Sequence, residues 1–158
     1  MKVSIKGGLK RQREAINEMV YWLGHNLLSR RLYAAITLNI ELKNLSKEGY
    51  NASTNVNQSE YLTNRPRGFD LEFCSKRTLE KIRTDLAHEM VHVRQYATGQ
   101  LYKYDRTDHI RWKDKIYPPG IEDGDDYWTM PYEIEARGQE LALKMKFREY
   151  LINKKRGK

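Results

Sequence analysis

Within the stretch His88-Glu89-Met90-Val91-His92, two imidazoles stand four positions apart with a carboxylate between them. On a helix four positions is about one turn, so both rings project from the same side. Imidazole nitrogens bind zinc at ~2.0–2.1 Å, and catalytic zinc usually takes three protein ligands and a water. His88 and His92 would be two of those ligands. Glu89 stands on the flank, badly placed to join them but able to take a proton from a water on the metal, which is the work of a general base. The same spacing arises by chance in exposed helices. It carries chemistry only if the helix has the right phase and another element brings a third ligand.

The phase is right. Leu79, Ile82, Leu86, Met90, Val93 and Ala97 recur at steps of three and four and draw one apolar stripe. His88 and His92 fall nearly opposite Leu86, away from the stripe. Ser75 or Thr78 is placed to cap the start of this helix and Gly99 to stop it.

A third ligand should come from another rigid element. Pro131 suits the first position of a last helix, and Tyr132-Glu133-Ile134-Glu135-Ala136-Arg137 follows with two glutamates in its first turn. Carboxylates also favour that turn simply because of the helix dipole. Glu133 has the small Ala136 one turn on, which would let a second helix approach closely; Glu135 is followed at that distance by Gly138. Glu133 is therefore preferred, with Glu135 as the alternative and His109 as a further candidate. Ile134, Leu141, Met145 and Ile152 read as this helix's core stripe, widened by Leu143, Phe147 and Leu151.

Elsewhere, Arg13 to Leu28 carries Ile16, Val20, Leu23 and Leu27 at helical spacing. His25 on that helix has no metal-binding partner at helical spacing and reads as structural. Residues 35–42 alternate, with Ile36, Leu38, Ile40 and Leu42 on one face, and residues 69–74 alternate again. Residues 50–61 are polar, with a weak alternation through Ala52, Thr54 and Val56 that reads as an irregular strand or loop. From Gln100 to Trp128 there is no clean period, yet Tyr102, Tyr104, Trp112, Tyr117, Tyr127 and Trp128 argue that the segment packs down. Asp123-Gly124-Asp125-Asp126 lacks the full calcium-loop set and reads as a solvated acidic turn.

With 158 residues, 39% hydrophobic and 32% charged, the chain fits one domain over 1–152 followed by a disordered basic tail, 153–158. No apolar run approaches a membrane span and the first residues lack a signal-peptide core, so a cytoplasmic protein is expected. A single cysteine, Cys74, excludes an internal disulfide framework and is expected to be buried. The net charge of +8 is dipolar: basic residues load both ends around an acidic block from Glu122 to Glu140. Nucleic acid is thus an allowed partner but not the favoured one.

The string from His88 to Gly99, with Tyr127-Trp128 ahead of Pro131-Tyr132-Glu133-Ile134-Glu135-Ala136, resembles the gluzincin zinc metallopeptidases, and among them the minigluzincin and SprT-like proteins of bacteriophages. The resemblance spans about residues 69 to 143. It implies an α+β fold in which a small, twisted, mainly antiparallel sheet packs against an N-terminal helix and the HExxH helix, with a C-terminal helix closing the metal site. It maps the third ligand onto Glu133. Where these families carry an acidic residue after the small one, this chain has Arg137, and Asp85 or Glu140 is left to orient His88. The resemblance also implies one catalytic zinc, hydrolysis of peptide bonds, a peptide or protein substrate laid along the strand edge Arg67 to Phe73, and Tyr127, Tyr132 or His109 as oxyanion donor. The rivals are a DNA-associated protease and a zinc-stabilised phage structural or interaction protein without activity.

Overall fold

Ile36, Leu38, Ile40 and Leu42 are buried and the residues between them are not, as a strand with one covered face requires. In the computed structural model, which describes residues 1–120 and 125–157, this strand lies inside a mixed α+β fold. The elements run β1 (Lys2–Gly7), α1 (Lys10–Leu27), α2 (Arg30–Ala35), β2 (Thr37–Lys43), β3 (Ala52–Val56), β4 (Gly68–Cys74) and α3 (Leu79–Thr98). They continue with β5 (Leu101–Lys103), β6 (Ile110–Trp112), β7 (Lys115–Tyr117) and α4 (Pro131–Lys155). The acidic turn at 123–126 lies outside the described residues, apart from the backbone of its last two.

The first sheet has the order β1-β2-β4-β3, and only its β3–β4 pair is antiparallel; β1–β2 and β2–β4 are parallel. The expected mainly antiparallel sheet is therefore corrected. One-sided alternation is the usual mark of antiparallel sheets. Here it arises in a parallel one because side chains of α1 and α3 cover a single face, joining Leu38, Ile40, Phe69, Leu71 and Phe73 in one core. Helices α1 and α2 provide the crossover that parallel β1 and β2 need. Ser29 caps α2 by accepting from the Leu32 amide, so Ala34 and Ala35 belong to a helix and not to the strand.

Strand β4 is interior, with β2 on one side and β3 on the other. The sheet's edges are β1 and β3, not Arg67 to Phe73, and β3 is the one beside α3. The short polar run Ala52-Ser53-Thr54-Asn55-Val56 gave little sign that it would occupy that place.

Helix α3 starts at its Thr78 cap and ends at Gly99, whose φ of 75° is left-handed. Ile82, Leu86, Met90, Val93 and Ala97 are buried as expected. Beyond it, the aromatic segment forms the small sheet β5-β6-β7, around which Leu101, Ile110, Trp112, Met130 and Tyr132 cluster. Three-residue strands are too short to show a period.

On α4 the expected stripe is the wrong one. Ile134, Leu141, Met145 and Ile152 are 57%, 57%, 58% and 40% exposed, while Phe147 is buried and packs against Trp22 with ring centroids 5.5 Å apart. This helix is apolar on two sides, so periodicity could not choose between them; the Phe147 contact and the buried Glu133 did. The helix also runs through Lys155, and Lys154 Nζ reaches Glu18 at 2.8 Å, so the expected disordered tail is helical for its first turn. Cys74 is buried. Among the described residues, no helix is long and apolar enough to cross a membrane.

Candidate metal centre

Helix α3 crosses α4 near the start of α4, where Ala136 is fully buried in the contact. A Cβ added at Gly138 would meet open space. The small residue that admits the neighbouring helix is therefore the one a turn after Glu133. This crossing brings His88, His92 and Glu133 into one group, each offering a ligand atom within 4.8 Å of the others. The His88 and His92 Nε2 atoms are 3.0 Å apart. Glu133 Oε2 lies 3.2 Å from His88 Nε2, and Oε1 lies 3.1 Å from His92 Nε2.

The other ring nitrogens fix the tautomers. His88 Nδ1 faces Glu140 Oε2 at 3.0 Å and His92 Nδ1 faces Gln95 Oε1 at 2.8 Å. The Gln95 orientation is set by its Nε2, which donates to the Tyr132 carbonyl and to Glu135 Oε2. Both neighbours of the rings are acceptors, so each Nδ1 carries the hydrogen and each Nε2 of a neutral ring presents a lone pair. Two lone pairs and a carboxylate then converge on one point. Glu133 Oε2 is buried and receives no hydrogen bond among the described residues. A cation is what such a donor set fits, and two imidazoles with one carboxylate suit a divalent transition metal.

Electrostatics agree. Burial works to raise the Glu133 pKa, but in the metal-free site the adjacent His88 and His92 rings, which can donate to it when protonated, and the Tyr127 hydroxyl hold it far below the usual carboxylate range. Burial works to lower that of His92, and Glu133 and Glu89 outweigh it, leaving it raised. Tyr127 donates to Glu133 Oε1 at 2.6 Å, and burial together with that carboxylate pushes its phenol far above the ordinary value.

Glu89 stays out of the ligand group, as the helix phase implied. It is 7% exposed, and Thr54 Oγ1 donates to its Oε2 at 2.7 Å. Glu89, His92 and Glu133 share a cleft of about 550 Å³ that Thr54, Tyr127 and Tyr132 also line. Glu135 faces elsewhere, paired with Arg94 at 3.0 Å. His109 hydrogen-bonds the Thr107 carbonyl beside β6 and lines no part of this cleft, which removes it both as a ligand and as an oxyanion donor. Asp85 pairs with Arg77 at 2.9 Å, leaving Glu140 as the carboxylate on His88. Sequence reasoning missed Gln95 and Thr54. Gln95 stands one turn after His92, a signal that was available; Thr54 gave none.

No known protein family, characterised protein or solved structure matches the chain.

Proposed function

We propose that the chain is a zinc-dependent metallopeptidase. The observation that supports this best is the convergence of the His88 and His92 Nε2 atoms and the Glu133 carboxylate, with Glu89 beside them and held by Thr54. His88, His92 and Glu133 would hold the metal, and zinc when bound supplies a Lewis acid that polarises a carbonyl and makes water acidic.

The remaining work belongs to the chain. Glu89 accepts a proton from the attacking water and passes it to the leaving amine; its buried carboxylate, with one oxygen engaged by Thr54, has the other to offer. The open edge of β3 runs along the cleft through Ala52, Ser53 and Thr54, so its free amides and carbonyls can hold an extended peptide by strand addition. Tyr127 and Tyr132 line the cleft among its tyrosines, and Tyr127 could serve a developing oxyanion only by turning its hydroxyl from Glu133 Oε1.

The test is zinc content by elemental analysis, paired with hydrolysis of a mixed peptide pool. Wild type and Glu89→Gln should each hold about one zinc, in line with a catalytic site of three protein ligands, and only the wild type should hydrolyse. His88→Ala and Glu133→Ala should lose the metal, and Glu135→Ala should keep it. Stoichiometric zinc without hydrolysis would replace this reading with a zinc-stabilised binding module. A wild type that takes up no zinc would end it.

A further inference from the structure

The cleft does not stop at the metal ligands. A second cavity of about 280 Å³ continues along the same edge, lined by Thr54, Asn55 and Val56, and it shares Thr54 and Tyr96 with the first. Together the two cavities follow the whole of β3. The first takes the Ala52 end, beside the metal ligands and Glu89; the second takes the Val56 end. Its volume is far above the ~30 Å³ that one water occupies, so it has room for a large side chain.

Its walls indicate which side chain. Tyr61, Tyr96 and Tyr102 line it, and so do the carboxylates of Asp105 and Asp108. Lys103 is also there, 4.0 Å from Asp108 in an exposed pair, but Asp105 has no ion-pair partner among the described residues. Aromatic rings and an unpaired carboxylate together favour a cation on a long apolar stem, the make-up of arginine and lysine. Tyr102 already accepts one guanidinium, that of Arg111, 5.7 Å from its ring centre.

Register gives the position. Antiparallel pairing is the more stable kind, and a peptide antiparallel to β3 places its residues N-terminal to the scissile bond beside Asn55 and Val56. Val56 is two residues past Thr54, which holds Glu89, and at ~3.4 Å per residue that is about 7 Å along the strand. We infer that this cavity is a specificity pocket for an arginine or lysine one or two residues N-terminal to the cleaved bond. The inference rests on the peptidase reading for the meaning of that bond; the pocket's preference for a cation does not.

The experiment uses blocked eight-residue peptides, identical except for arginine, norleucine or glutamate at each of those two positions in turn. Binding is measured by fluorescence anisotropy on full-length, zinc-loaded Glu89→Gln, and cleavage is followed on the wild type. The arginine peptide should bind about 5- to 10-fold more tightly than its norleucine twin, with glutamate weakest. In Asp105→Asn combined with Asp108→Asn the preference should fall to within about twofold, the charge contribution having gone. Asparagine is chosen because Asp108 has φ 50°, which asparagine tolerates, and Asp105→Asn alone, which leaves that backbone untouched, should show a partial loss. Equal binding of arginine and norleucine, no binding of the arginine peptide, or a preference that survives both substitutions overturns the inference. Arginine-selective binding with every peptide left intact by wild type would instead overturn the peptidase reading and leave the pocket standing.

Discussion

Glu140 Oε2 lies 3.0 Å from Nδ1 of His88, so the ring is oriented by a residue one turn beyond the place where Arg137 stands. Residues 136 and 140 are four apart, and the helix that buries Ala136 against α3 carries Glu140 to the next turn of the same contact. Partners of this kind keep a ligand in one tautomer and raise its basicity, and losing one typically costs ~10–100-fold in metal affinity. Glu140→Ala should weaken zinc binding by about that factor, and Glu140→Gln by less, as measured by competition with a chromophoric chelator. Unchanged affinity in both variants would mean that His88 needs no such support.

Thr54 makes a different prediction. Its hydroxyl touches Glu89 and no metal ligand, so Thr54→Val should leave zinc content as it is. Hydrolysis should fall through kcat, by about 10- to 150-fold for a lost hydrogen bond to a charged group, and Thr54→Ser should recover most of it. A change confined to KM would reassign Thr54 to substrate binding.

The site also fixes how the metal-free protein responds to pH. His92 has a folded pKa raised above its unfolded value of ~6.5, so its contribution to stability is fully present below ~6.5 and is lost as pH rises through the folded value. Glu133 has a depressed folded pKa, so its contribution is present above ~4.3 and is lost only as pH falls through that lower value. The Tm of metal-free protein should therefore decline as pH rises above ~6.5 and passes through the raised histidine value. Zinc needs His92 unprotonated, so the gap in Tm between zinc-loaded and metal-free protein should widen over the same range. A gap that narrows would contradict this account.

Gly7 closes β1 at φ 73°, and a Cβ there would run into the Leu42 carbonyl oxygen of the paired strand. Gly7→Ala should cost at least ~1–3 kcal/mol from backbone strain alone. Urea unfolding should show it, whereas the same change at Gly138, where a Cβ meets nothing, should raise stability slightly.

What could be read from the sequence follows from how local each signal is. The phase of α3, its Thr78 cap and its Gly99 stop depend on residues within a turn or two of one another, and each matches the structure; the same local reading preferred Glu133, the glutamate that the structure groups with His88 and His92. The direction of β2 depends on which element lies beside it, which alternation does not encode. The buried side of α4 depended on Trp22, more than a hundred positions away, and with apolar residues on two sides the pattern alone favoured the exposed one. Thr54 acts only through a contact that the fold creates, whereas Gln95 sits one turn from His92 on the same helix and was within reach of the sequence.

The ligands are delivered in a fixed order. His88 and His92 come together on α3, and Glu133 is added only after the whole of the β5-β6-β7 sheet. During synthesis, a chain halted between them has two ligands and an unfinished cleft, because Tyr127 and Tyr132 are also still to come. Competence to bind metal tightly, and with it any ability to hydrolyse, thus waits on the docking of α4. If the chain is the peptidase proposed above, translation order leaves the growing chain without a complete site until its last helix has docked.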